Sequence, residues 1–248
     1  MIRHRIDTDI SRAVPLRLVS IMKQTHPSPD DFTRDLVHAE TSLREAQFAV
    51  EAGQKSVKIE TEIPRGPAGP VLVEASRDAE MICVGSVGIG RYACSILGST
   101  ATELAETSHC LVAVIRTNRD QPPPDINWIV MRMTDAPDND AVVKHAAWEA
   151  KLRRAPLLVL GGRSEELTEH GDGAFERRVQ DWRQRHPEVR VYPITTKYAI
   201  ASFLSANNER VQLAVISGAE ADQLARLVGP SGHPLFHHPE CSVLVVHG

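Results

Sequence analysis

The 248-residue sequence contains no run of about eighteen apolar residues, so no segment of it reads as a membrane-spanning helix. Residues 1–10 hold no apolar stretch of the kind a secretory leader needs. Aromatic residues make up only 4%, which leaves few platforms for stacking single-stranded bases. A basic excess is missing too: the net charge is −4 and the isoelectric point near 6.3, against a general nucleic-acid binder. Cysteine is scarce, with four residues at 83, 94, 110 and 241 and no Cys-x-x-Cys. Three of them sit in or beside apolar runs, as reduced thiols in the core of a cytoplasmic protein would. A chain of this length buries ~70% of its unfolded surface without a disulfide or metal staple.

What is present is a repeat. The runs that begin at Val57, Met81 and Cys110 have counterparts beginning at Val189, Leu213 and Cys241, an offset of 131–132 residues. Residues 117–125, with three consecutive prolines, separate the two copies. The expected domains are therefore 1–117 and 126–248. Short apolar runs alternate with helical patterns, such as Phe32, Leu36, Leu43, Ala46 and Val50, led by Asp30 and Asp31 as N-cap candidates and closed by Gly53. Alternation of this kind predicts parallel strands with crossover helices, hence an α/β fold of two doubly wound, Rossmann-like sheets in tandem. The right copy opens with the strand Trp128–Met133 and the helix 139–154. The left copy has only 14 residues before Pro15, too few and too basic for a buried strand, so its first strand is expected to be lacking and the chain to be truncated at its N-terminus.

The chemistry concentrates after the left run 81–84. Gly85-x2-Gly88-x9-Gly98-Ser99-Thr100 follows a predicted strand and opens a predicted helix. That is the carboxyl end of a parallel strand, where open α/β sheets hold ligands. Gly85 and Gly88 permit close backbone approach, Gly98-Ser99-Thr100 supplies amides and hydroxyls at a helix N-terminus, and Arg91 adds a cation. The physical reading is a phosphate cradle. The competing reading is a turn followed by a capping box of Thr100 with Glu103. The loop is not a Walker A sequence, since Arg91-Tyr92 stands where Lys-Ser/Thr belongs.

Gly85-x2-Gly88-x9-Gly98-Ser99, with the run 81–116 around it, resembles the signature of ATP-binding universal stress proteins, and the repeat resembles the tandem actinobacterial kind. The resemblance implies a five-stranded sheet of order 3-2-1-4-5 in each copy, pairing through the last strands, and ATP or AMP as ligand, with Mg accompanying ATP. It implies that Gly85, Gly88, Gly98 and Ser99 hold phosphate and ribose and that Ile21 and Val84 line the adenine; Thr100 and Arg91 join them on the physical reading above. The Asp that the family carries after its first strand has no left-hand counterpart; Asp135 is the right-hand one. The right loop has degenerated, with Ser217, Glu220, Gly229 and Pro230 at the positions of Gly85, Gly88, Gly98 and Ser99. Other groups are weaker candidates. His233, His237, His238 and Cys241 are interrupted by prolines and read as a solvated loop, so no metal is expected. Arg177, Arg178, Arg183 and Arg185 alternate with acids as a salt-laced face. Ser99 lacks a His-Asp partnership, so no catalytic residue is assigned.

The resulting expectation is a nucleotide-responsive regulatory protein, at most slow in ATP hydrolysis, that pairs through sheet edges into homodimers and contacts neither nucleic acid nor membrane. Two alternatives stand beside it: a partner-binding module that has lost its site, and an enzyme of the wider adenine-nucleotide hydrolase superfamily. The terminal strands 111–115 and 242–246 are expected to pair with each other within one chain. The lacking strand would leave the left sheet with a slot two strand spacings, ~9.6 Å, wide. Either runs 16–22 and 81–85 close directly over that slot, or residues 1–10 fill it imperfectly, or the left copy is unstable; direct closure or a poorly ordered Met1–Asp9 is expected over a true strand there.

Overall fold

The computed structural model describes residues 15–53, 57–86, 97–116, 127–161, 173–207, 211–228 and 241–247. The chain divides into two compact units, residues 1–75 and 76–248.

In the first unit, strand β1 (Leu16–Val19) pairs in parallel with β2 (Ile59–Glu62), from Leu16 opposite Ile59 to Val19 opposite Glu62. Helix α1 (Pro29–Glu51) crosses between them, and its Val50 packs with Leu16, Leu18, Val57 and Ile59. The N-cap is Ser28 rather than either aspartate: its Oγ accepts from the Asp31 amide at 3.1 Å, and Pro29 takes the first helical position. Asp30 and Asp31 occupy the first turn, where carboxylates favour the helix dipole. A short helix, α2 (Ala68–Ala75), ends the unit.

The second unit is one seven-stranded sheet. Its strands are β3 (Met81–Gly85), β4 (Leu111–Ile115), β5 (Trp128–Met133), β6 (Leu157–Gly161), β7 (Val191–Thr195), β8 (Val211–Ser217) and β9 (Ser242–Val246), in the order β3-β4-β9-β8-β5-β6-β7. Between them lie α3 (Ser99–Thr107), α4 (Asn139–Arg153), α5 (Ala174–Arg185), α6 (Ile200–Ala206), a 3-10 helix Gly218–Gln223 and α7 (Leu224–Val228). Read from β7 to β9, the right copy has the order 3-2-1-4-5 of a doubly wound sheet. Its core layer joins Ile129, Met131 and Met133 of β5 to Val142, Val143, Ala146 and Ala147 of α4.

The terminal strands pair as expected, and antiparallel: Val112 faces Val245, Ala113 faces Leu244 and Val114 faces Val243. Under the repeat offset of 131, Ala113 meets its own counterpart Leu244, Val112 meets the counterpart of Val114, and Val114 meets that of Val112. That is the self-complementary pattern of a two-fold interface, formed inside one chain. Val112, Val114, Val243 and Val245 are all fully buried, and such side chains contribute about 1.5–3 kcal/mol each relative to exposure.

Among the described residues, the strands of the left copy do not pair by direct closure. Met1–Asp9 lie outside those residues. β1 belongs to a two-stranded sheet with β2, and β3 is bonded to β4 in the other sheet. β3 and β4 are held by the right copy's β9, and the described strands of the left copy are shared between the two units. The proline-bearing segment 117–125 lies, apart from the ends of its neighbours, outside the described residues.

Candidate functional site

The glycine-rich segment is held at its two feet. Ser86, the residue after β3, is buried; its amide donates to the Ile115 carbonyl at 3.0 Å, and its own carbonyl accepts from the Gly98 amide at 3.1 Å. The chain thus leaves β3 and returns to α3 at one point, beside the end of β4. Gly98 is the N-cap of α3, with φ −65° and ψ 137°, and no side chain caps the helix. Its carbonyl accepts from both Ala101 at 3.0 Å and Thr102 at 3.1 Å.

The capping box of Thr100 with Glu103, the competing reading of the loop, is not formed, because α3 starts at Ser99, two residues before the hydroxyl–carboxylate spacing would have it start. A glycine N-cap has no side-chain oxygen to cap with, and the first amides of α3, at Ser99 and Thr100, meet no acceptor among the described residues. An arrangement of this kind can take an anion. Val84, Gly85, Gly98, Ser99 and Thr100 lie together at the β3–α3 junction. Ile21 lies in the first unit, just after β1 and next to the buried Met22. Gly88 and Arg91 fall outside the described residues. Arg116, the nearest described cation past β4, donates its guanidinium to the Val228 carbonyl.

The right copy is built differently at the same place. After β8 the chain turns directly into the 3-10 helix, where Ser217 and Glu220 form the capping box that the left copy lacks. The Glu220 carboxylate accepts from the Ser217 amide at 3.3 Å and from the Gln223 side chain at 3.2 Å. Glu220 thus fills the helix start internally. Gly229 and Pro230 fall outside the described residues. Asp135 is exposed and ion-paired to Arg178 at 2.6 Å, while Arg178 also donates to the Thr134 carbonyl at 3.0 Å. The other arginines of the expected salt-laced face bond backbone carbonyls: Arg177 that of Gly173, Arg183 that of Val191, Arg185 that of Asp181.

Cys83, Cys110 and Cys241 form no disulfide among the described residues, and Cys94 lies outside them. Burial pushes the Cys110 thiol up, and pushes that of Cys241 up to about 12. His233, His237 and His238 lie outside the described residues. One residue escaped the reading of the sequence: Ser86 gave no signal beyond following a glycine.

A doubly wound α/β protein with a glycine-fed helix N-terminus at one strand end is the class these features define. The universal stress protein family model matches residues 10–116. A universal stress protein of Mycobacterium tuberculosis is 77% identical over 241 residues, covering 97% of this chain and 89% of that one. Another from the same organism is 32% identical over 248 residues, covering 97% and 88%. Among solved structures, a universal stress protein from Archaeoglobus fulgidus superposes with a TM-score of 0.67 at 15% identity, covering 98% of this chain and 90% of that one. A Pseudomonas aeruginosa protein follows at 0.59 and 15%, covering 99% and 86%. The chain belongs to the universal stress protein family.

Proposed function

We propose that this chain is an adenine-nucleotide-binding regulatory protein, taking ATP or AMP at the β3–α3 junction, and that it is not an efficient enzyme. The observation that carries the reading is the uncapped start of α3. Gly98 leaves the first two amides of the helix without a described acceptor, in a segment whose Gly-x2-Gly-x9-Gly-Ser spacing matches the family's nucleotide loop. The phosphates would lie against Gly98, Ser99 and Thr100, with Gly85 and Val84 beside them at the end of β3; the sequence alone assigns Gly88, Arg91 and Ile21. The right copy is not proposed as a nucleotide site, since its own Glu220 occupies the corresponding helix start.

Titration calorimetry of ATP and AMP against Gly98→Val tests the site. The φ of −65° at Gly98 is open to any residue, so the substitution tests space rather than backbone strain. Binding is expected to fall at least tenfold while the thermal midpoint changes little. Unchanged affinity in Gly98→Val overturns the assignment. The internal β4–β9 seam and the capped right-hand loop favour a second reading, a partner-binding module without nucleotide. Absence of ATP and AMP binding by the unsubstituted chain is the result that would select it.

A further inference from the structure

Helix α1 turns two apolar side chains to water. Ala39, Leu43 and Val50 form its buried face. Val37 and Phe48 stand on the other side, 54% and 73% exposed. They are eleven residues apart, close to three helical turns, so they share one stripe and lie about 16 Å apart along the axis. Thr41 and Arg44 fall between them, at the four-three-four spacing of a helix–helix seam. Single exposed apolar residues are ordinary. This pair differs from the other large exposed ones among the described residues. Trp148, Tyr192 and Tyr198 each keep a polar atom for water, whereas Val37 and Phe48 have none.

The charges beside the stripe are available. The Arg44 guanidinium donates to the Thr41 hydroxyl at 3.1 Å, and that hydroxyl donates to the Val37 carbonyl at 2.7 Å. No ion pair among the described residues holds Arg44 or Glu40, whereas the neighbouring Arg34 is held by Asp31 at 2.9 Å. The stripe complements itself when reversed. Laid antiparallel on α1 of a second copy, about a two-fold axis between residues 42 and 43, Val37 meets Phe48, Thr41 meets Arg44, and Arg44 stands beside Glu40, each contact occurring twice. Laid parallel, Arg44 would meet its own equivalent, a like-charge contact. The last strands of the two sheet copies, β4 and β9, already pair with each other inside the chain. Two chains therefore have to meet through another surface.

We propose that two copies of this chain associate through α1, antiparallel, with Val37 against Phe48 at the two ends of the seam and Arg44 against Glu40 across its middle. One helix face is a small contact, below the ~1,200 Å² at which stable interfaces begin, so the dimer is reversible and depends on concentration.

Sedimentation equilibrium of the full chain over a wide concentration series tests this. A monomer–dimer equilibrium is expected. Phe48→Glu is expected to weaken it at least tenfold, and so are Glu40→Arg and Arg44→Glu taken singly. The last two variants provide the sharper measurement. Each repels itself, but in a mixture every arginine of one chain meets a glutamate of the other. The mixed dimer is therefore expected to be at least tenfold tighter than either variant's own. All three substituted side chains are exposed, so the variants are expected to keep the thermal midpoint of the parent. A chain that stays monomeric throughout the series overturns the proposal. So does a dimer that Phe48→Glu leaves intact, since the copies would then meet elsewhere. A mixture no tighter than its components overturns the antiparallel register. The association is expected to be unchanged in Gly98→Val, so this surface and the nucleotide site stand or fall separately.

Discussion

His247 closes β9 with a ring that has nowhere to place a proton. Its Nε2 is shielded and without a partner among the described residues, and its Nδ1 stands 2.8 Å from where a Cβ on Gly218 would lie. Burial lowers its pKa below the ordinary 6.5, and the neighbouring His109 lowers it further. In the unfolded chain the same imidazole titrates at the ordinary value. Between the two values the unfolded state binds more protons, so stability is full above about pH 6.5 and declines as the pH falls through that value toward the lower folded one. The thermal midpoint is expected to drop between pH 7 and pH 5, and to drop less in His247→Leu. Parallel pH profiles for the two proteins would remove His247 as the cause. At this scale the sequence is legible where a residue acts by what it is. The glycines and Ser99 announced themselves by spacing. Ser86 and His247 act through what the sheet places beside them, and a register cannot be read from one strand alone.

The helix starts show why local patterns misled. Thr100 and Glu103 have the spacing of a capping box, yet α3 begins at Ser99, because Gly98 is fixed by its bond to Ser86 and turns its carbonyl to Ala101 and Thr102. Asp30 and Asp31 likewise yield to Ser28, whose oxygen reaches the Asp31 amide ahead of Pro29. The strands were easier. Leu111–Ile115 and Ser242–Val246 are apolar on both faces, and an unpaired edge of that kind seeks a partner. Their antiparallel direction follows from the repeat: two equivalent edges that meet by a two-fold rotation must run opposite ways. Leu244 sits at the centre of that seam, buried and opposite Ala113. Leu244→Ala is expected to cost about 2–5 kcal/mol by denaturant unfolding, since a small residue would then face a small residue across the pair. A cost under about 1 kcal/mol would mean the seam contributes little to the fold.

Across the whole chain, the halves seen in the sequence and the compact units seen in the structure do not coincide. The repeat divides the chain near its proline segment, whereas the contacts divide it between residues 75 and 76. The reason lies in the sheet order. A 3-2-1-4-5 sheet places its first strand between the second and the fourth, and no described strand joins β1 to β3. The described strands of the left copy sort by their partners: β3 and β4 join a seven-stranded sheet through β9, while β1 and β2 keep each other and α1. A two-stranded sheet is marginal by itself, and among the described residues a small cluster around Leu16 and Val50 backs this one. Local opening follows such differences in burial and pairing. Amides of Leu16–Val19 and Ile59–Glu62 are therefore expected to exchange at least tenfold faster than those of β4, β5, β8 and β9. The decisive amides are those of Leu111–Ile115. They belong to the left copy by sequence and to the large sheet by pairing, so they should be protected like β9 and not like β1. Hydrogen exchange that groups β4 with β1 and β2 would show that the repeat, rather than the sheet, sets the cooperative units.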